Sequence, residues 1–314
     1  MPEWIAERGI GETRLVRIED GEIVEARILL EGAAPAGSTL EARLVSVGAG
    51  GRNAVVRTVD GTEYLLPTRP PGVSEGASLF VEVTREAIPG IEPWKRPLAR
   101  AADGPARGFS LDARNANSGE LDSVGWADLM EQATSGAVGF PGGSLSLYLT
   151  PAMVLIDVDG HLPPGELAVV GAAAAGRAIR RLGIGGSIGI DLPTASGKAA
   201  RQAAADALDQ AMGDARFERT AVNGFGFVQL VRPRRHPSLL ELSADRATFA
   251  ARAAMRLAEG GVGQARLVAH PAVIAAVESG GSGGDWGVKV ARLRGGALAL
   301  RADPGLAISI FHVE

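Results

Sequence analysis

The chain has 314 residues, 46% of them hydrophobic, and a formal net charge of −4. This length and composition predict two or three packed domains, and the negative charge means that any polyanion site has to be a local basic patch. The lack of cysteine excludes disulfides, cysteine-ligated zinc and a thiol nucleophile. The sequence shows no signal peptide and no apolar run that could span a bilayer, which predicts a cytoplasmic protein without a membrane partner.

The first 97 residues carry β-strand patterns. Asp20-Gly21, between two alternating runs, predicts a hairpin. After a small-residue linker over 32–38, short strands are predicted over 40–47, 54–59, 64–66 and 78–83. Their spacing predicts a small barrel, which we interpret as OB-type, with a generic β-barrel as the alternative. Residues 99–120 are polar and aperiodic, which predicts a loop.

The stretch from Thr150 to Thr194 predicts a strand, a helix and a second strand. The two predicted strands are apolar runs that end at Asp157 and Asp191. If these strands are parallel neighbours, both carboxylates lie at the carboxyl edge of the sheet, where open α/β sheets bind ligands. Oxygen-only ligation favours Mg²⁺ or Mn²⁺. Asp159, on the same face as Asp157, is a third donor or a turn residue, and acids at strand ends also cap helices or turns.

The flanking segments continue an alternation of helices and strands. Helices are predicted over 126–133, 196–212, 249–257 and 271–277, and strands over 142–150 and 225–231. The last 50 residues are interpreted as a small separate α+β unit, with a flexible tract over 279–284 and strands over 287–293 and 297–301.

Basic residues occur near the predicted edges of this sheet. Arg232 and Arg234 follow a strand, Arg177 lies on the central helix, and Lys95 follows the barrel as a weaker candidate. They could hold phosphates if they converge near the acids, but solvated faces or pairing with acids such as Glu241 or Asp245 is the alternative. Residues 195–198 lack the glycine and hydroxyl positions of a phosphate-binding loop, so that motif fails.

The order of these pieces resembles the ribonuclease E/G family of bacterial endoribonucleases. Residues 9–21 resemble the first hairpin of that family, and residues 149–159 are similar to its threonine-to-aspartate metal motif. Residues 177–191 match its arginine-rich helix, double glycine and second metal aspartate. Residues 225–239 match its phenylalanine-glycine strand, which has two arginines and a proline-serine-leucine exit, and the tail from 268 to 313 is weakly similar to its last domain.

The resemblance implies a multidomain α+β and α/β architecture. Its parts are an RNase H-like subdomain (1–36 and 98–148), an inserted OB-fold RNA-binding barrel (37–97), a deoxyribonuclease-I-like catalytic domain (149–258) and a small C-terminal domain (259–314). It also implies that Asp157 and Asp191 ligate one Mg²⁺, which Mn²⁺ can replace, with Asp159 at a position where the family usually has asparagine. The activated water would attack single-stranded RNA and leave a 5′-phosphate and a 3′-hydroxyl.

Three departures from the family narrow this expectation. The family's 5′-end sensor domain has no counterpart, because only residues 99–122 are left for it, and the zinc-linking cysteines are missing. The barrel positions where the family stacks aromatic residues on RNA hold Arg57 and Leu65, with only Tyr64 nearby, so stacking in the barrel should be weak.

We therefore expect a reduced, Mg²⁺-dependent endoribonuclease without zinc. Its expected RNA contacts are Arg232, Arg234, Arg177, Lys95 and Tyr64. A non-catalytic RNA-binding or ribosome-associated protein on the same scaffold is the alternative, and a homodimer remains open.

Overall fold

The computed structural model describes residues 3–89, 94–280 and 285–314. Its strands are β1 (Trp4–Arg8), β2 (Glu12–Glu19), β3 (Glu22–Leu30), β4 (Thr39–Val47), β5 (Ala54–Thr58), β6 (Glu63–Leu66), β7 (Ser78–Arg85), β8 (Leu98–Ala101), β9 (Ala113–Asn115), β10 (Ala137–Phe140), β11 (Gly143–Leu149), β12 (Val154–Gly160), β13 (Gly186–Asp191), β14 (Glu218–Arg219), β15 (Phe227–Arg232), β16 (Ala265–Ala269), β17 (Leu298–Ala302) and β18 (Phe311–Val313). Its helices are α1 (Glu120–Ser123), α2 (Trp126–Ser135), α3 (Pro164–Arg181), α4 (Lys198–Met212), α5 (Leu239–Ala244), α6 (Arg246–Glu259), α7 (Pro271–Ser279) and α8 (Trp286–Arg294). Within the described ranges, no helix is both long and apolar enough to span a membrane.

The chain divides into two compact units. One contains Met1–Ala33, Ala113–Met130 and Leu242–Glu314, and the other contains Ala34–Asp112 and Glu131–Glu241. These bounds differ from the four domains expected from the sequence, because strands and helices that are distant along the chain pack into shared sheets and cores.

The first unit begins with a sheet in the order β3-β2-β1-β9. The predicted hairpin is confirmed: β2 and β3 pair antiparallel, and the turn residues Asp20 and Gly21 have φ values of 51° and 81°. Positive φ at both positions gives the turn a twist that suits a two-residue hairpin. β9 pairs parallel with β1, so residues 113–115 form a strand where the sequence predicted a loop.

The C-terminal segment of this unit forms a sheet in the order β17-β16-β18. Its buried core includes Ile10 together with residues of α6, α7 and α8, whereas the sequence is interpreted as a separate C-terminal unit. The predicted strand over 287–293 is wrong, because Trp286 and Val290 of α8 are buried four residues apart, as on one face of a helix. Most of the predicted flexible tract over 279–284 lies outside the described residues.

The second unit contains a closed five-stranded barrel, β4-β5-β6-β8-β7. The barrel and its first four strands are confirmed, and inward-facing side chains such as Leu44, Val56 and Leu66 fill it. Strand β8 closes the barrel with Ala99 fully buried, so residues 98–101 belong to it and not to the predicted loop. Four residues with two alanines are too short and too weakly apolar to produce a recognisable strand pattern.

The same unit contains a six-stranded sheet in the order β10-β11-β12-β13-β15-β14. Helix α3 connects β12 to its parallel neighbour β13 and packs on β12, where a Cβ atom at Gly171 would lie 2.4 Å from Val158 Cγ1. Helix α4 packs on α3 in the same way at Gly176, beside Ala211. The sheet includes β10 and β11, so residues 137–149 belong with β12 and not with the expected 98–148 subdomain.

Candidate functional site

Two carboxylates lie side by side at the carboxyl edge of the six-stranded sheet. Asp157 of β12 and Asp191 of β13 are register partners across the parallel pair, which confirms the predicted strand pairing. Neighbouring strands are about 5 Å apart, so both side chains leave the sheet at one place. Asp159 lies two residues after Asp157 and shares its face. Asp157 is half-buried, whereas Asp159 and Asp191 are exposed.

This face of the sheet is opposite to the one that α3 covers. The buried residues Val154, Ile156 and Val158 alternate with the acids along β12, and Val158 contacts α3. Across the neighbouring strands, Ser146 stands opposite Asp157 and Phe227 stands opposite Asp191. The acids therefore lie in a cross-strand row with a hydroxyl on one side and an aromatic ring on the other.

The electrostatics of the cluster favour a cation. Burial raises the pKa of Asp157, and the negative charges of Asp159 and Asp191 raise it further, while a hydrogen bond with the backbone at Val158 lowers it. Asp157 thus lies close enough to Asp159 and Asp191 to be repelled by their charges, and a bound divalent cation would relieve that repulsion.

The carboxylates of Asp157, Asp159 and Asp191 are suitable ligands for Mg²⁺, but they do not surround an ion on all sides. Among the described residues, no group of three His, Cys, Asp or Glu side chains is arranged to hold a metal. Mg²⁺ is usually bound by one or two carboxylates and keeps several waters, which suits a pair such as Asp157 and Asp191 on an open face. Metal binding at these residues remains a prediction.

The structure places Arg232 and Arg234 away from the acids. Arg232 is opposite Gly186, at the other end of β13 from Asp191, and the rise of a strand makes that separation about 17 Å. Arg232 donates a hydrogen bond to the backbone carbonyl of Ile184 at 2.9 Å. Arg234 forms an ion pair with Glu241, whose side chain is buried. The expected placement of both arginines beside the reacting phosphate does not fit this geometry, and the pairing of Arg234 with Glu241 follows the alternative.

Arg177 is also distant from the acids. It lies near the end of α3, whose first residues follow the acid-bearing end of β12, and the helix rise puts it about 20 Å from Pro164. Arg177 is exposed. Its two basic neighbours make contacts within the fold: Arg180 pairs with Asp214, and Arg181 donates to Gln132. The arginines of this helix do not converge on the acids.

The two expected contacts of the barrel differ in exposure. Tyr64 is 4% exposed and belongs to the barrel core, and burial raises its pKa to about 12. A ring in this position cannot stack on RNA, so that assignment is wrong. Lys95 is exposed beyond the barrel, next to Trp94, which is 72% exposed.

Sequence reasoning missed the groups that the fold brings to the acid edge. Helix α4 begins on this edge, with Lys198 in its first turn, no acid in that turn and Arg201 one turn further along. A helix N-terminus with basic residues favours phosphate binding. Residues 195–198 were discarded because they do not match a phosphate-loop motif, yet their helix begins seven residues after Asp191, at the end of the loop that leaves the acid edge.

The chain matches no protein-family model and no curated protein. The resemblance to the ribonuclease E/G family therefore stays a prediction carried by the motifs of the sequence. Two of those motifs, which end at Asp157 and Asp191, meet at one edge of one sheet.

Proposed function

We propose that the protein is a metal-dependent endoribonuclease that cleaves single-stranded RNA at the edge formed by Asp157 and Asp191. The observation that carries this proposal is their pairing in register across β12 and β13, with the pKa of Asp157 raised partly by the charges of Asp159 and Asp191. Clustered acids that repel one another on an exposed face are costly to the fold, and nucleases use such clusters to bind Mg²⁺.

The protein residues would divide the work as follows. Asp157 and Asp191 supply carboxylate oxygens, and Asp159 adds negative charge beside them. A divalent cation at this edge would supply Lewis acidity and an activated water. Lys198 and the first turn of α4 would orient a phosphate of the strand. Attack of water on phosphorus would form a new P–O bond and break the bond to the 3′-oxygen. That oxygen takes up a proton and leaves as the 3′-hydroxyl, and the other product keeps the 5′-phosphate, as expected from the resemblance.

The domain assignments that the resemblance implies belong to the same proposal. The closed barrel would be an OB-type RNA-binding module, now extended to include β8. The six-stranded sheet, together with α3 on β12 and α4 on α3, would be the deoxyribonuclease-I-like catalytic part, and the β3-β2-β1-β9 sheet would be the RNase H-like part. An RNA-processing enzyme of this kind would act in the cytoplasm, on unstructured RNA.

Cleavage of a labelled, unstructured RNA tests the proposal directly. The wild-type protein should cut it with Mg²⁺ or Mn²⁺ and stop when EDTA is added, and Asp157→Asn and Asp191→Asn should each lose activity because the cation needs charged oxygens. Asp159→Asn, which restores the usual family residue, should retain cleavage and serves as the matched control. Full activity of either Asp157→Asn or Asp191→Asn would refute the assignment.

The alternative is a non-catalytic RNA-binding protein that keeps this scaffold. It is favoured by the acidic net charge of −4 and by the burial of Tyr64, which leaves the barrel without that aromatic ring for stacking on RNA. Calorimetric titration with Mn²⁺ separates the two functions. Binding that disappears in Asp191→Asn favours the enzyme, whereas RNA binding without any Mn²⁺ binding favours the alternative.

A further inference from the structure

We infer that the open face of the six-stranded sheet is a stacking platform for the bases of single-stranded RNA, formed by Phe225, Phe227 and Tyr148 around the acids. The inference rests on the proposed function, because it takes the RNA bound at Asp157 and Asp191 as the ligand. It assigns base stacking to this sheet and not to the barrel, where Tyr64 is buried.

Phe225 is a large apolar side chain that an ordered turn exposes to solvent. It is 83% exposed. The side-chain oxygen of Asn223 accepts hydrogen bonds from the backbone N–H groups of Phe225 at 2.9 Å and Phe227 at 3.0 Å. Thr194, on the loop that follows Asp191, donates its hydroxyl to the carbonyl of Phe225 at 3.2 Å. The turn is therefore fixed to the segment that leaves the acid edge.

Gly226 brings this turn close to the acid-bearing strand. It has a φ of 93°, and a Cβ atom there would lie 2.1 Å from the carbonyl oxygen of Leu192. The backbone N–H of Leu192 in turn donates to the carbonyl of Gly226. Only glycine allows so close an approach at a positive φ. An exposed phenylalanine is thus held beside the segment that follows Asp191, by backbone geometry at Gly226 that no other residue type would permit.

Phe227 continues the platform across the sheet. It is half-buried and stands opposite Asp191. Its ring lies over Gly189, where a Cβ atom would meet Phe227 Cζ at 2.6 Å, Leu155 Cδ2 at 3.0 Å and Met153 Sδ at 3.1 Å. Because Gly189 has no side chain, the ring of Phe227 can lie against the strand, next to the apolar side chains of Leu155 and Met153.

Tyr148 lies on the other side of the acids. It is 55% exposed on β11, opposite Leu155, and its face is that of Asp157, because Ser146 lies two residues before it and opposite Asp157. Diagonal neighbours of this kind are about 7 to 8 Å apart. Rings at Tyr148 and Phe225 therefore flank the carboxylates from both sides.

The composition of the face favours RNA bases over an apolar protein partner. Asp157, Asp159 and Asp191 lie among the rings, and an apolar surface docked there would bury their charges. A single RNA strand presents bases to the rings and phosphates to the acid edge, where a cation and Lys198 can meet them. Stacking is also tolerant of sequence, since every base has a π-face.

The test compares two RNA oligonucleotides of equal length with and without bases. Affinity is measured by fluorescence anisotropy with Ca²⁺ in place of Mg²⁺, so that a divalent cation can occupy the acid edge, and a gel of each sample verifies that the strands are uncut. Phe225→Ala and Tyr148→Ala should each weaken binding of the normal strand on the order of 10-fold and change binding of the abasic strand little. Tyr148→Phe, which keeps the ring, should bind like the wild type. Leu257→Ala, which truncates a 50% exposed side chain on α6, is the control for loss of apolar surface elsewhere.

Each outcome decides the inference. Wild-type affinity in both alanine variants, or an equal loss on normal and abasic strands, would overturn it, and so would a loss confined to Trp94→Ala at the end of the barrel. Wild-type protein that binds neither strand would overturn this inference and the proposed function together. Base-dependent binding through Phe225 and Tyr148 in a protein that never cleaves RNA would support the platform and reject only the endoribonuclease.

Discussion

Asp157→Asn should stabilise the metal-free protein while removing its response to Mg²⁺. The carboxylate of Asp157 has Asp191 as its register partner and Asp159 two residues further along the strand. These spacings are about 5 to 7 Å. At an effective dielectric constant between about 40 and 80, each like-charge pair costs about 1 kcal/mol at neutral pH. An uncharged amide removes both repulsions, so we expect a gain of about 2 kcal/mol, or a few °C in Tm.

The contribution of Asp157 to the stability of the folded protein should fall as the pH rises. Because the pKa of Asp157 is raised above its ordinary value of 3.8, the folded state binds more protons than the unfolded state between these two values. Stability contributed by this group therefore falls as the pH rises from 3.8 through the raised pKa, and then stays lower. Asp157→Asn should lack this fall. The Tm values of the wild type and of Asp157→Asn should therefore be similar in acid and differ at neutral pH.

Thermal unfolding with and without Mg²⁺ measures both effects. A ligand at 100 times its Kd stabilises the folded state by about 2.7 kcal/mol, so Mg²⁺ should raise the Tm of the wild type and leave that of Asp157→Asn unchanged. Asp159→Asn removes only one of the repulsions at Asp157 and should give a smaller gain in EDTA. Asp112→Asn, at an exposed position outside the cluster, changes the net charge equally and is the control. A lower Tm for Asp157→Asn in EDTA, with no Mg²⁺ effect on the wild type, would show that Asp157 is a structural cap.

Arg234→Ala should lower the free energy of unfolding by about 2 to 3 kcal/mol, because it leaves the buried carboxylate of Glu241 without its ion pair while Arg234 itself is partly exposed. Denaturant titration measures this loss. If Arg234→Ala instead reduces the slope of log K against log salt for RNA binding, Arg234 contacts an RNA phosphate and the ion-pair explanation is refuted. The Tyr148→Phe variant keeps only one of the two tyrosines, Tyr64. Ultraviolet titration of this variant should show Tyr64 ionising near its raised pKa of about 12. Ionisation near pH 10 in the native state would contradict the burial of Tyr64. Cleavage should not distinguish a 5′-monophosphate from a 5′-triphosphate, since residues 98–123 provide only β8, β9 and α1; a strong preference for the monophosphate would show that another surface reads the 5′ end.

Local patterns in the sequence are enough to predict much of the second unit. The apolar runs that end at Asp157 and Asp191 are strands, and the three- and four-residue steps between them form α3, which ends where Gly183 adopts a φ of 68°. A strand–helix–strand connection strongly favours parallel neighbours, so the meeting of the two acids also follows from the order of the elements.

The sequence by itself thus determined the acid pair, the hairpin at Asp20 and most of the barrel, because each depends on a short periodic pattern or a turn residue. Only the tertiary structure decided which way the other side chains face. Antiparallel pairing of β15 with β13 puts Phe227 beside Asp191 and Arg232 at the opposite end, and the closure of the barrel turns Tyr64 inward. Register and closure join residues that are far apart along the chain, and no local periodicity contains that information.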